Sequence, residues 1–487
     1  MKLAHSPHKG KGEAVARATL AEEIHEICGE NVYLCYQCQK CASGCPVADY
    51  FDLSPNQLMR AIQLDERESA LSSKTIWLCA ACETCATRCP QDIDITRVMD
   101  VLKIMAREQG ITPGVPSVPI FYSAALHNLR IFGRLYEAGL MGELYMRMLL
   151  NRQLDFGQIF SKDLPVGIKM FREGRLKILP HLVRRKQGPR EKKVRSTQRR
   201  VAYFPGCSLS GTSVEYGLSF KAVAEKLGLI ADEPEGWTCC GTTPAHSTDH
   251  YLSTLLPMKN LALMEEMGHS SVTAPCPSCY LRMRKALHDI SKDAELRKRV
   301  KGQIGYQPSK GLHVEHGLNT FTDRVGLEAI GSEVSRSLGG LKVACYYGCV
   351  ITRPPKVTGF GEYEYPTNMD RLMKKLGATP LDWSYKTRCC GASLGFTNLE
   401  IVLELGRKIL ANAKAVGAEA IVVACPLCQV NLDSRQAQMS GQSNLPVLYF
   451  TQLMGLAFGL EPMGLGLDKH FIDPMPLLRE KKIIPSS

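Results

Sequence analysis

Four groups of cysteines carry the chemistry open to this chain. Residues 35–46 read CYQCQKCASGCP and residues 79–90 read CAACETCATRCP. Each is Cys-x2-Cys-x2-Cys-x3-Cys-Pro, the ligand run of a cubane 4Fe-4S cluster. Two copies imply two clusters, and in the two-cluster arrangement the fourth cysteine of each run crosses over. Cys35, Cys38, Cys41 and Cys89 are thereby expected on one cluster, and Cys79, Cys82, Cys85 and Cys45 on the other. Pro46 and Pro90, with their fixed φ, turn the chain away after the last ligand. Zinc is the alternative for eight thiolates, but a tight four-thiol run closed by Pro is not zinc-finger spacing. With no base or nucleophile nearby, this half reads as an electron wire.

The back half holds ten more cysteines in two matching sets. Cys207 closes RVAYFPGC, Cys239 and Cys240 stand side by side in WTCCGTTPA, and Cys276 and Cys279 lie in VTAPCPSC. The pattern recurs with Cys349 in KVACYYGC, Cys389 and Cys390 in YKTRCCGASLG, and Cys425 and Cys428 in AIVVACPLC. The intervals are 31 and 35 residues in the first copy and 39 and 34 in the second. Five thiols exceed the four that a zinc ion or a cubane takes. One reading is a bridged or non-cube cluster, since adjacent side chains reach adjacent irons. The other is a four-ligand site with one bystander thiol.

The elements that must position these groups follow from the same text. Ser54 and Pro55 open a helix carrying Leu58, Ala61 and Ile62, with Asp65 at its margin. After Pro90, Ile95, Val98, Met99, Leu102 and Met105 share one helical face, and Gly110 can end that helix. The front module is therefore a helical ferredoxin rather than a β-rich one. Behind it, short β-rich runs alternate with helical ones, which predicts parallel sheets flanked by helices in a duplicated α/β unit. Each cysteine group follows a strand or turn, and open α/β sheets bind ligands at the carboxyl ends of strands.

At 487 residues the chain exceeds one core, and its 45% apolar and 22% charged residues describe an ordinary globular composition. The opening MKLAHSPHKGKGEAVARATL has no apolar signal region. LYFTQLMGLAFGL is too short to cross a bilayer, and the helical stretch RIFGRLYEAGLMGELYMRMLL carries charges that forbid it. Direct membrane insertion is not expected, and the chain is read as cytoplasmic. Twenty cysteines in a reducing compartment favour metal or redox chemistry over disulfides. The net charge of +12 is partly local, since residues 184–200 hold nine Lys or Arg against one Glu. Without interleaved aromatics that run reads as a solvated linker and not a nucleic-acid arm.

The two five-cysteine sets resemble the CCG domains in the B subunit of heterodisulfide reductase, as do VACYYGCVITRPP, IVVACPLCQVNLDSRQ and PVLYFTQLMGLAFGL. The front half resembles the C subunit of the same enzyme, down to DLPVGIKMFREGRLKILP at 163–180. The chain thus looks like a fusion of the C and B subunits of heterodisulfide reductase. The resemblance implies a noncubane 4Fe-4S cluster on all five thiolates of each repeat, besides the two cubane clusters. It also implies that a disulfide, such as CoM-S-S-CoB, binds between the two noncubane clusters and is split there to two thiols, each sulfur meeting a cluster iron. No G-x-G-x-x-G after a strand and no P-loop occur. FAD is accordingly expected on a partner, the flavin-containing A subunit of heterodisulfide reductase, linked to a hydrogenase or formate dehydrogenase. Some family members with this fusion order take electrons from a membrane cytochrome b instead. The rival reading is an electron-transfer component of a lactate, glycolate or glycerol-3-phosphate dehydrogenase without disulfide chemistry.

The expected fold class is multidomain: a helical ferredoxin domain with two 4Fe-4S clusters, then a duplicated α/β (CCG) pair. The expected divisions are an N-terminal segment 1–30, the ferredoxin domain 31–110, a helical segment and basic linker 111–200, a first CCG domain 201–300, a linker 301–340, a second CCG domain 341–470 and a tail 471–487. Beside the paired cysteines, His246 and Lys386 could supply protons or meet an anion, and Arg353 and Arg388 could grip one. Ordinary surface charge is the plainer account of each. Cys28 and Cys345 are read as buried filler, and Trp77, Trp237 and Trp383 as packing around the cysteine groups.

Overall fold

The computed structural model describes residues 18–485 other than 178, 181–182, 184–198, 440 and 442. The basic run lies almost wholly outside the described residues. In the front module, Ser54 caps the Pro55–Gln63 helix in a capping box with Gln57. Asp65 lies beyond that helix at φ 56°, where its carboxylate accepts the Leu20 N–H at 2.7 Å. The Ile95–Glu108 helix buries its apolar face against Ile62, Leu71 and Trp77. Ile24 of the Leu20–Cys28 helix joins the same core. The Leu20–Cys28 helix, within the segment 1–30 expected to stand apart, thus packs its apolar face on the ferredoxin module.

The stretch expected as one helix over 130–150 is two, Ser117–Phe132 and Glu137–Leu150, broken where Gly133 takes φ 72°. Three short helical pieces follow, Phe156–Gln158, Ile159–Asp163 and Leu164–Arg172. Phe156, Phe160, Leu164, Ile168 and Phe171 recur along them at helical intervals and are all exposed.

Two four-stranded parallel sheets make up the rest, with the same strand order. The first runs β2-β1-β3-β4, from β1 (Arg200–Tyr203), β2 (Ile230–Asp232), β3 (Ser271–Ala274) and β4 (His313–His316). The second runs β6-β5-β7-β8, from β5 (Lys342–Tyr346), β6 (Thr379–Pro380), β7 (Ala420–Val423) and β8 (Val447–Tyr449). β7 is buried along its whole length, as expected of a central parallel strand covered on both faces. β4 falls inside residues 301–340, read as a linker; that span instead supplies the edge of the first sheet, with Val272 opposite Val314. The tail also differs from its expected role, since Leu478, Ile483 and Ile484 are buried in the common core. Apolar side chains at sheet edges finish a core that strands of two to five residues cannot close alone.

The repeats share that core. Tyr216 stacks on Tyr449 with ring centroids 4.2 Å apart, and Ser219 Oγ lies 2.7 Å from Thr451 Oγ1. Arg175, from the segment linking the ferredoxin module to the first sheet, is wholly buried where they meet. It donates to the Thr212 and Lys469 carbonyls, each at 2.8 Å, and to Gln429 Oε1 at 3.1 Å. It also pairs with Glu215 at 3.2 Å and approaches Asp433 at 3.9 Å. One guanidinium thus fastens both repeats. Among the described residues no helix is long and apolar enough to cross a membrane.

Candidate functional site

In both repeats the cysteine loops leave the carboxyl ends of the two central strands, where the strand order reverses. Cys207 follows β1 and Cys276 follows β3; Cys349 follows β5 and Cys425 follows β7. The CCG loops close on these positions. Cys240 Sγ stands 3.4 Å from Cys279 Sγ, and in the second repeat Cys390 Sγ stands 3.6 Å from Cys428 Sγ. Cys239 lies against Cys207, and Cys389 against Cys349. The ten cysteines therefore gather as two sets of five.

Local backbone makes the room. Gly206 and Gly348, each directly before the first cysteine of its set, adopt φ 67° and 74°. A Cβ there would stand 2.7 Å from Cys279 Sγ and 3.0 Å from Cys428 Sγ, respectively. Both positions require glycine, for the left-handed backbone and for the sulfur beside it. Polar donors surround the sulfurs: Leu135 N–H to Cys207 and Gly391 N–H to Cys389 at 3.3 Å each, and the Asn431 amide to Cys390 at 3.6 Å.

In the front module, Cys35, Cys38, Cys41 and Cys89 line one small cavity. Cys45, Cys79, Cys82 and Cys85 interact as a second group. Burial pushes Cys41 and Cys79 up to about 11, and Cys45 and Cys85 further in the same direction. Burial opposes ionisation of these four thiols, and a cationic metal core would draw off their protons. No three or more His, Cys, Asp or Glu among the described residues converge on a site for a single ion. Thiol-only donor groups of this kind suit iron–sulfur chemistry.

At the seam the modules meet around a small cavity, of about 80 Å3. Its wall combines Ala80 and Ala81 of the ferredoxin module, Thr243, His246, Ser278 and Arg282 of the first repeat, and Cys349, Cys389, Cys390, Cys425 and Cys428 of the second. The two repeats are not alike here. Where the first presents Thr243, Ser278 and Arg282, the second has Ser393, Leu427 and Asn431 at the matching distances from its cysteines. Arg282 was not singled out from sequence, although it stands one helical turn beyond Ser278 on the Pro277–Lys292 helix.

Of the four charged residues singled out, His246 lines the cavity and the other three do not. His246 Nδ1 lies 2.6 Å from Asp100 Oδ2, and burial lowers the imidazole to about 4 against that carboxylate's pull. Lys386 turns away to Asp370 at 2.6 Å. Arg353 is buried in the seam, donating to Thr84 Oγ1 at 2.9 Å and the Thr387 carbonyl at 3.0 Å, with Glu364 at 2.8 Å. Arg388 is exposed beside the Tyr385 ring. Each of these three has a structural partner that fixes it away from the cavity. Cys28 donates to the Ile24 carbonyl, and Cys345 is buried within β5. Trp77, Trp237 and Trp383 are buried.

Comparison with known proteins agrees with this layout. Residues 201–284 and 343–433 match the cysteine-rich CCG domain, and residues 34–94 match the 4Fe-4S dicluster domain. The chain is 34% identical over 289 residues to the 8-methylmenaquinol:fumarate reductase membrane anchor subunit of Wolinella succinogenes, covering 58% of this chain and 99% of that one. It is 29% identical over 289 residues to the B subunit of the Ferredoxin/F(420)H(2)-dependent CoB-CoM heterodisulfide reductase of Methanosarcina acetivorans, covering 57% and 96%. Lactate utilization protein A of Bacillus velezensis is 24% identical over 262 residues, covering 52% and 98%. Aligned along nearly the whole of such proteins and carrying a 4Fe-4S dicluster domain ahead of two CCG domains, this chain belongs to the CCG-domain iron–sulfur family that includes the heterodisulfide reductase B subunits.

Proposed function

We propose that the chain is the disulfide-reducing subunit of an iron–sulfur oxidoreductase complex. The observation that carries this reading is the cavity at the seam, walled by the cysteine loops of one repeat and by the helix bearing Cys279 of the other. A bond split between two one-electron centres needs such a two-sided pocket. In this reading Cys35, Cys38, Cys41 and Cys89 hold one cubane cluster, and Cys79, Cys82, Cys85 and Cys45 the other. Cys207, Cys239, Cys240, Cys276 and Cys279 hold one noncubane cluster, and Cys349, Cys389, Cys390, Cys425 and Cys428 its counterpart. Bound clusters supply one-electron storage and transfer. The chain's own part is to insulate them, to set them in sequence, and to seat the disulfide with a sulfur toward each repeat.

Twenty unpaired cysteines support a reducing, cytoplasmic setting. Electrons enter from a partner, for which a flavin-bearing A subunit served by a hydrogenase or formate dehydrogenase is the first choice. A heterodisulfide such as CoM-S-S-CoB is the first substrate to try. Anaerobic protein assayed for iron, acid-labile sulfide and reduction of a disulfide panel tests the whole reading. Stoichiometric zinc with little iron would overturn it.

A second reading has specific support. Similarity to a fumarate reductase anchor protein and to a lactate utilization protein favours an electron-transfer role without disulfide chemistry. The exposed row Phe156, Phe160, Leu164, Ile168 and Phe171 offers a face for a membrane-bound partner in that role. Iron-replete protein that passes electrons from its donor yet splits no disulfide selects this reading.

A further inference from the structure

Behind the seam cavity lies a larger one, of about 470 Å3. It is bounded by the Leu20–Cys28 and Ile95–Glu108 helices of the ferredoxin module and the His250–Glu266 and Pro277–Lys292 helices of the first repeat. Its wall is rich in titratable groups, among them Glu30, Asp94, His250, Lys285 and Asp289. Two residues, His246 and Arg282, line both cavities and so form the throat between them.

The throat is built for one tautomer. Asp100 takes Ser247 Oγ at 2.9 Å and Lys103 Nζ at 3.0 Å on one oxygen and His246 Nδ1 on the other. Though buried, this carboxyl is held well below its usual range by His246 and Lys103 and stays ionised. Nδ1–H therefore donates to Asp100, and Nε2 keeps its lone pair. No hydrogen bond to Nε2 is formed among the described residues. Arg282 has neither ion pair nor hydrogen bond among them.

Reduction of a disulfide consumes protons as well as electrons: R–S–S–R′ + 2 e− + 2 H+ gives R–SH + R′–SH. The electrons come from a one-electron donor through the iron–sulfur wire, which supplies no proton. We propose that His246, oriented by Asp100, passes protons from the rear cavity to the sulfurs released at the seam. This rests on the disulfide reading above. Nε2 takes a proton from water in the rear cavity and gives it to a thiolate sulfur as the S–S bond breaks, twice per turnover. Asp100 is the positioning residue and steadies the imidazolium. Arg282 holds positive charge at the throat, favouring both thiolate arrival and release of the proton to it. The charged groups facing His246 are thus Asp100 and Lys103 from one helix and Arg282 from another, with Tyr122 beyond Ser247 and His250 on the rear-cavity wall.

The test compares wild type, His246→Ala and Asp100→Asn, cluster-loaded, with an artificial one-electron donor and a disulfide panel. Rates are taken across pH in H2O and D2O, with and without added imidazole. His246→Ala is expected to slow reduction by about 10²-fold. Imidazole should restore part of that rate, and the cluster spectra on reduction should stay unchanged. Asp100→Asn should lower the rate and displace the pH profile. If His246→Ala does not load iron, His246→Gln, which keeps the volume and an amide N–H for Asp100, carries the same comparison. A wild-type rate and isotope effect in the His246 variant at every pH overturns the relay and leaves disulfide reduction standing. A wild type that splits no disulfide overturns both.

Discussion

Cys82 of the ferredoxin module and Cys389 of the second CCG repeat face each other across the seam. Cys389 draws Cys82 down to about 6, while Cys349 first, then Cys82 and burial, push Cys389 up. Arg353 sits beside Cys82, and Ser393 Oγ donates to the Ala80 carbonyl at 3.1 Å along the same boundary. The ferredoxin group containing Cys82 therefore adjoins the second repeat directly. Cys82→Ser should remove one cubane signal and abolish donor-driven electron delivery. Reduction of the rear sites by a small chemical reductant should survive. Electron paramagnetic resonance with each reductant checks this, and full donor-driven turnover in the variant would show that the path runs elsewhere.

The buried Arg175 makes a second prediction. Removing it leaves Glu215 and Asp433 facing one another without a cation where the repeats join. Arg175→Met should cost about 3–5 kcal/mol, the usual result of stranding a buried charge. Adding Glu215→Gln should recover part of that loss. Urea unfolding of the three proteins gives the values, and a near-neutral single variant would mean that the repeats are held together by packing alone.

Gly206 and Gly348 allow a structural test of the two five-cysteine sets. Gly206→Ala pushes a methyl against Cys279 Sγ, and Gly348→Ala does so against Cys428 Sγ. Each also forces a side chain into left-handed backbone, at a cost of about 1 kcal/mol or more. Each variant should lose iron from its own repeat only, measurable as iron and sulfide content against wild type. Equal iron in all three would show that the sulfur shells yield easily.

What could be read beforehand follows from how chemistry is written in a chain. Cysteine type and spacing declare a ligand set without reference to tertiary structure, so all eighteen positions stood out. His246 could be noticed from its nearness to Cys240, but its partner Asp100 lies on another module and only folding joins them. β4 was hidden because HVEH carries one apolar residue in four positions, too short and too polar for a strand signal. The Cys82–Cys389 contact was invisible for the same reason as the Asp100–His246 pair. Arg353, Lys386 and Arg388 attracted attention by charge alone, whereas the fold sets them beside Glu364, Asp370 and the Tyr385 ring and off the seam cavity's wall.

His470 fixes an acid limit on stability. Burial lowers its imidazole to about 4, from 6.5, although Asp433 lies 3.9 Å away. The folded state then binds fewer protons than the unfolded chain between pH 6.5 and about 4. Stability is present in full above 6.5 and is lost as pH falls through that window. At about 1.4 kcal/mol per pH unit the loss is on the order of 3 kcal/mol. Denaturant midpoints for wild type and His470→Gln at pH 7 and pH 4.5 should differ in their pH slope, the variant being flatter. Parallel slopes would assign the acid lability to other groups.

The last prediction separates a two-sided reductase from a relay. Cys240 stands against Cys279 in the first repeat, behind the loop and helix that wall the seam cavity, and Cys390 against Cys428 in the second, where both line it. If a disulfide is split with one sulfur toward each repeat, both sets must be intact in the same molecule. Cys240→Ser and Cys390→Ser should then each abolish disulfide reduction while leaving the front-module cubane signals in place. The double variant should be no worse than either single, because residues acting as a unit are not additive. A plain relay behaves differently: electrons enter beside Cys389, so the first repeat, farther along, could be lost without stopping transfer. The measurement is reduction of mixed disulfides by an artificial one-electron donor in wild type and the three variants. Substantial activity in Cys240→Ser beside a dead Cys390→Ser would refute the two-sided arrangement and mark the second repeat alone as the working site.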